Sequence, residues 1–167
     1  MVSSITALTS LISFIAATMV ACDGKCGEGD LKTLGMVKVD GDEAQLKALF
    51  KTTAIMSHVG QHFGKKAGDQ SVDLYSKYLG QLLGQFGVQG VDAGCVSCFA
   101  ESVKCSVKNC KVACMNDSCA AGCVKCFEKN CKPALSDCVG GVDLDTHCRD
   151  KTNFKKFKLS QTPKGPE

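Results

Sequence analysis

Residues 95–138 read CVSCFAESVKCSVKNCKVACMNDSCAAGCVKCFEKNCKPALSDC and contain ten of the thirteen cysteines in this 167-residue chain. The cysteine spacing repeats, because a shift of 21 residues places three cysteines on three others: Cys98, Cys105 and Cys110 on Cys119, Cys126 and Cys131. Val-Lys precedes the second cysteine of each unit, and Lys-Asn precedes the third. A copied cysteine unit is typical of a small scaffold that is cross-linked to itself.

The cysteines of both units also recur at helical spacing. Cys119, Cys123 and Cys126, for example, share one helical face at i, i+4 and i+7. Asn109 and Asn130 occupy equivalent positions just before a cysteine, where each could cap the helix that follows. The pattern predicts a helix, a Lys-Asn turn and a second helix, formed twice.

Helical geometry restricts how these cysteines can pair. Two bridged cysteines need Cα atoms within ~7 Å, whereas residues seven apart on one helix are separated by ~10 Å. Cys98 therefore cannot bond Cys105 on an intact helix, and the same holds for Cys119 and Cys126. We expect bridges between helices of the two units, with equivalent cysteines either forming equivalent bonds or bonding to each other. The full connectivity stays open at this point.

A helical hairpin is predicted before the cysteine segment. Asp42 begins the first helix as its N-cap, and apolar residues at helical spacing extend it over residues 43–63. The second helix begins at Asp69 or Ser71 and runs to about Phe86. A short glycine-containing turn joins the two, which favours antiparallel packing.

These patterns predict an all-α fold that combines a helical hairpin with a duplicated, disulfide-cross-linked module of short helices. The predicted organisation is a signal peptide at 1–22, the hairpin region at 23–91, the cysteine-rich module at 92–140 and a basic, partly disordered C-terminal tail at 141–167. One short strand is expected at Met36–Val39.

The N-terminal segment indicates secretion. Residues 1–22 lack charged side chains, and the run from Ile5 to Val20 is mostly apolar, which is typical of a signal peptide. Cleavage after Cys22 would leave twelve cysteines, an even number. A short transmembrane anchor and a bacterial lipoprotein signal ending at Cys22 are the alternatives.

An extracellular location favours disulfides and permits glycosylation. We predict that all cysteines of the mature chain are paired: Cys26, Cys95, Cys98, Cys105, Cys110, Cys114, Cys119, Cys123, Cys126, Cys131, Cys138 and Cys148. The chain has a single Asn-x-Ser/Thr sequon, at Asn116 in the expected turn between the two units, and Asn116 is the predicted glycosylation site.

No catalytic, cofactor or metal site is predicted, and the protein is not expected to be an enzyme. Both CxxC pairs, Cys95 with Cys98 and Cys123 with Cys126, are interpreted as structural, although redox exchange or zinc binding is the alternative. His58 and His62 lie four residues apart without the glutamate of a zinc-protease motif, and His147 is alone in the tail.

Composition narrows the possible partners. A net charge of +3 does not indicate nucleic-acid binding. Glycines four residues apart, at 60, 64 and 68 and at 80 and 84, are expected to let the two hairpin helices pack closely. The predicted function is a secreted, non-enzymatic binding, surface or interaction role toward an unknown extracellular partner. The alternative is a membrane- or lipid-interacting protein, with weak membrane contact through the basic tail that carries Phe154 and Phe157.

Overall fold

The computed structural model describes residues 24–66 and 68–165, so the predicted signal peptide lies outside the described part. Within these residues the chain forms eight α-helices and one 3₁₀ helix, with no strand. The all-α prediction is confirmed. The elements are α1 Glu28–Thr33, α2 Glu43–Gly64, α3 Val72–Gln85, α4 Ala93–Asn109, α5 Lys111–Cys114, α6 Ala121–Asn130, α7 Lys132–Cys138, the 3₁₀ helix His147–Asp150 and α8 Lys151–Lys156.

The strand predicted at Met36–Val39 is wrong. Met36 follows the turn that ends α1, and its N–H donates to the carbonyl of Leu31 at 2.8 Å. Its own carbonyl accepts one hydrogen bond, from the N–H of Asp145 at 2.8 Å. The segment thus meets a loop instead of a second strand, and the Met36 side chain is buried in the hydrophobic core.

The hairpin helices begin at the predicted caps. The Asp42 carboxylate accepts the N–H of Gln45 at 3.0 Å, and the Ser71 hydroxyl accepts the N–H of Leu74 at 3.4 Å. The Gln45 side chain does not complete a capping box with Asp42, because it donates to the carbonyl of Lys32. Gln45 therefore ties α2 to α1 and does not close its own N-terminus.

The core lies where α2 and α3 meet α4. Its most buried members come from all three helices: Leu49, Ile55, Val59, Leu79, Leu82, Phe99 and Ala100. The glycines of α2 serve the packing against α4, since a β-carbon on Gly60 would lie 3.5 Å from Val103 and 3.7 Å from Val107. The expectation that these glycines let α2 pack closely against α3 is wrong, because the helix they face is α4. The predicted boundary between the hairpin region and the cysteine-rich module, at residues 91 and 92, stays a prediction. α4 contacts both sides of it, because this helix packs against α2 and α3 as well as against α7.

Six disulfides pair twelve cysteines of the described residues. Four of them are nested in sequence and form a ladder that fastens α4 and α5 to α6 and α7: Cys98–Cys138, Cys105–Cys131, Cys110–Cys126 and Cys114–Cys123. Nested pairs require the two cross-linked arms to run antiparallel. The remaining two bridges lie outside the ladder: Cys26–Cys95 holds the N-terminal segment against α4, and Cys119–Cys148 holds the 3₁₀ helix against the start of α6.

The two central rungs of the ladder are related by the 21-residue shift. Exchanging each cysteine of Cys105–Cys131 for its sequence equivalent gives Cys126–Cys110, which is the neighbouring rung. The surroundings correspond too, because Cys105 Sγ and Cys126 Sγ each lie 3.4 Å from the carbonyl oxygen of the asparagine in the opposite unit. The predictions of bridges between the units, and of equivalent bonds, are confirmed for this pair. The prediction of equivalent bonds is wrong for Cys98 and its equivalent Cys119, which bond Cys138 and Cys148, because the 21-residue shift does not relate these two partners.

The predicted capping role of Asn109 and Asn130 is wrong. Each is the last residue of its helix, and the N-caps of α5 and α7 are Cys110 and Cys131, without side-chain hydrogen bonds. The asparagine amides point back along their own helices. Asn130 donates to the carbonyl of Cys126 at 2.9 Å, which closes the end of α6.

Candidate functional site

The most exposed large apolar side chains of the described residues lie at the end of the ladder. Val112 is 86% exposed and Met115 is 70% exposed. We call the segment 111–115 the tip. It contains α5, a single helical turn that would not be stable alone. Cys110–Cys126 and Cys114–Cys123 fix its two ends, so its apolar side chains are presented from a rigid backbone.

The base of the tip is anchored and basic. Lys111 Nζ donates to the carbonyl of Gly64 at 2.6 Å, which ties the tip to the end of α2. Lys125 is exposed beside Cys126, the partner of Cys110. Asn116, the predicted glycosylation site, is exposed directly after the tip in the turn between α5 and α6. The sequon is thus accessible in the folded chain.

A second surface feature is an apolar groove of about 260 Å³ beside α3. Gly80 and Gly84 of α3 line it together with Val88, Val91 and Val96. A β-carbon on Gly84 would meet no atom within 4 Å, and one on Gly80 would only reach Val96 at 4.0 Å. The glycines that were expected to pack against a helix therefore leave a shallow depression open to solvent.

The third feature surrounds the Cys119–Cys148 bridge. His147 Nε2 lies 3.6 Å from Cys148 Sγ and 2.9 Å from the Ser118 hydroxyl oxygen, and its ring packs on Phe154 with centroids 4.4 Å apart. Burial lowers the pKa of His147 to about 4, against the opposing charge of Asp117, so the ring is neutral at pH 7.

Two lysines of the tail form ion pairs with Asp117 beside the Cys119–Cys148 bridge. Lys151 Nζ lies 2.8 Å and Lys155 Nζ 3.3 Å from the Asp117 carboxylate. The hydrogen bond from Lys151, followed by that from the Cys119 backbone N–H, keeps the pKa of Asp117 well below its usual range. The predicted basic tail is thus partly neutralised by contact with the turn before α6.

The other cysteines and histidines considered from the sequence lie in disulfides or in packing contacts. Each cysteine of the two CxxC motifs bonds a cysteine outside its own motif. His58 Nε2 lies 3.0 Å from the Tyr78 hydroxyl, while the His62 Nε2 is buried without a hydrogen-bond partner. Burial lowers the pKa of both histidines.

Among the described residues, one group of three potential metal ligands is close enough to share an ion: Cys119, His147 and Cys148. The sequence interpretation missed this group because it treated His147 as isolated. The signal available was its adjacency to Cys148, the one tail cysteine, which must reach back to another segment to form a bridge.

Comparison with known proteins gives no relative from which a function can be transferred: no protein family, curated protein or solved structure matches the chain. No helix in residues 24–66 and 68–165 is long and apolar enough to cross a membrane. The chain is a disulfide-rich, all-α protein.

Proposed function

We propose that this protein is a secreted, non-enzymatic interaction protein that contacts an extracellular partner through its tip. The observation that carries the proposal is the exposure of Val112 and Met115, at 86% and 70%, on a turn fixed by two disulfides. Covering such side chains contributes about 1.5–3 kcal/mol each when a partner removes them from water. A backbone that is already rigid loses little entropy on binding.

The extracellular setting is supported by the disulfides and by the predicted signal peptide. Disulfides persist in oxidising compartments and are rare in reducing ones. Stability of the α5–α7 region depends on them, because α5, α6 and α7 together contribute few buried large apolar residues. A non-enzymatic role is favoured because both CxxC motifs have all their sulfurs in bridges to other segments.

The membrane-contact alternative is less favoured by the packing of the tail. Membrane contact through the tail would require its aromatic rings to face the lipid. These rings pack instead on Phe50 of α2, with centroid distances of 5.4 Å for Phe154 and 5.9 Å for Phe157. The end of the tail is also held, since Gln161 donates to the carbonyl of Gln85 at 2.9 Å.

The first experiment measures secretion and the state of the cysteines. The protein is expressed in a eukaryotic secretory host, and its intact mass is determined before and after reduction. We expect export, cleavage after Cys22 and a gain of twelve hydrogens on reduction, because six bridges are opened. Retention inside the cell, or free thiols in the denatured unreduced protein, would contradict the extracellular assignment.

The second experiment tests the tip. Binding of the labelled protein to the surface of the cells that naturally secrete it is compared for wild type and the Val112→Ser/Met115→Ser double variant. The matched control is Leu74→Ser, an exposed apolar residue on α3 that is 46% accessible. We expect the double variant to lose at least ~10-fold in affinity, which corresponds to 1.4 kcal/mol, and the control to bind normally. Equal binding of all three proteins would refute the tip as the contact surface.

A further inference from the structure

The Cys119–Cys148 bridge differs from the other five in its exposure to solvent. Every other bridge contains at least one buried cysteine. Both cysteines are buried in Cys26–Cys95, and the remaining four bridges contribute one each: Cys98, Cys131, Cys110 and Cys123. Cys119 and Cys148 are both only partly buried. A thiol in solution reaches an exposed sulfur more readily than a buried one, so this bridge is the first expected to be reduced.

Reduction at this place would produce a set of metal ligands. Cys119 Sγ, Cys148 Sγ and one ring nitrogen of His147 all lie within 4.8 Å of one another. We propose that Cys119, His147 and Cys148 form a redox-gated zinc(II) site, which is closed while the cysteines are bridged and binds zinc once they are reduced. This goes beyond the proposed interaction role and does not depend on it.

The two chemical steps balance with a dithiol as the reductant. The dithiol gives up two electrons and two protons and becomes a cyclic disulfide, while the Cys119–Cys148 bond becomes two thiols. Zinc(II) then replaces the two thiol protons, which are released to solvent, and the thiolates and the imidazole nitrogen coordinate the ion. A small-molecule disulfide can reverse the change: it takes the two electrons from the thiolates and two protons from solvent, becomes two thiols, and re-forms the Cys119–Cys148 bond. The ion is then released, because bridged sulfurs no longer supply thiolate ligands.

The positions of the ligands suit this ion. Zinc binds thiolate sulfur at ~2.3 Å and imidazole nitrogen at ~2.0–2.1 Å in tetrahedral geometry, which puts a sulfur and a nitrogen ligand about 3.6 Å apart. His147 Nε2 already lies 3.6 Å from Cys148 Sγ. The Cα atoms of the two cysteines are 5.3 Å apart, so both thiolates stay near the histidine after the bond opens.

The identity of the metal follows from the ligand set. Two thiolates and one imidazole favour zinc over the hard cations calcium and magnesium, which prefer oxygen ligands. The Asp117 carboxylate already accepts hydrogen bonds from the Cys119 N–H at 2.9 Å and from Lys151 at 2.8 Å. The fourth coordination position is therefore assigned to water.

The experiment combines selective reduction with a spectroscopic metal probe. The folded protein is treated with increasing dithiothreitol, and free thiols are alkylated and located by mass spectrometry. At the lowest effective concentration we expect label on Cys119 and Cys148 alone. In a separate, unalkylated sample from which the dithiothreitol has been removed without oxygen, cobalt(II), as a probe for zinc, should give the near-ultraviolet thiolate charge-transfer band, and one equivalent of zinc(II) should abolish it.

Two histidine variants separate coordination from structure. His147→Ala should lose more than ~10-fold in zinc affinity after reduction, the minimum loss typical even of outer-shell changes. His58→Ala, which lies outside the cluster, should bind zinc like wild type. Mapping of the Cys119–Cys148 bridge in the oxidised His147→Ala protein shows whether that variant folds. As a second readout, Cys119→Ser/Cys148→Ser should give no charge-transfer band under the same mild reduction.

The proposal is overturned by any of three results. The first is that another bridge opens before Cys119–Cys148. The second is that the reduced wild type gives no cobalt thiolate band and binds no zinc. The third is that His147→Ala binds zinc as tightly as wild type, which would leave the histidine without a role.

Discussion

Removing single bridges should show that the free energy of unfolding contributed by a disulfide depends on whether the bridge lies inside or outside the ladder. Cys26–Cys95 joins residues 69 apart, and no other bridge shortens that loop. Chain-entropy bookkeeping then gives a destabilisation of about 4.4 kcal/mol when both cysteines are replaced by alanine. Cys114–Cys123 joins residues only nine apart, for which the same relation gives about 2.6 kcal/mol.

The second value is an upper bound, because Cys110–Cys126 still closes the surrounding loop when Cys114–Cys123 is removed. The two double variants should therefore differ by at least about 1.8 kcal/mol. The assay is equilibrium denaturation in guanidinium chloride without reductant, after confirming the remaining five bridges by peptide mapping. Equal destabilisation of the two variants would refute the loop argument. So would a larger loss for Cys114–Cys123.

Three further predictions concern single positions. Gly41→Ala should lower the free energy of unfolding by about 1–2 kcal/mol, since φ is +77° there with open space around it. Gly35→Ala, with φ +74°, should lower it clearly more, because the added β-carbon would fall on the backbone of Leu49; urea denaturation of both variants measures the difference. Because burial lowers the pKa of His62, stability should be complete above pH 6.5 and fall as the pH decreases below that value, and His62→Phe should reduce this slope in thermal melts at pH 5 and 7.5. The secreted protein should lose mass on N-glycosidase treatment, and Asn116→Gln should abolish that loss; an unchanged wild-type mass would contradict glycosylation of the exposed sequon.

The helices could be predicted because their signals are local. Asp42 and Ser71 cap α2 and α3 as their side-chain chemistry suggests, and apolar periodicity carried each helix to within one or two residues of its end. α1 was missed because six residues are too few to show a period. The short strand was wrong for a different reason: an apolar tetrapeptide such as Met36–Val39 gives no information about whether a partner strand exists.

Tertiary relations were predictable only where geometry excluded alternatives. Helical rise ruled out a Cys98–Cys105 bond, and the repeat related the Cys105 rung to its neighbour. Nothing local indicated that the glycines of α2 would face α4 or that Gly84 would face an open groove, because periodicity defines a face without naming the neighbour. The cluster at His147 needed the fold, since it joins a tail residue to the turn before α6.

The nested bridges also determine what a protease can do to this molecule. The exposed turn that follows Met115 is the natural place for a cut, and a break after Asn116 would separate six cysteines from the other six along the backbone. Four bridges cross that point, so the product would be a two-chain protein held together covalently, with an unchanged position on a non-reducing gel. Such a nick would free new chain ends next to Met115 without releasing a fragment. Limited proteolysis could thus alter what the exposed end presents while the rest of the molecule stays in place.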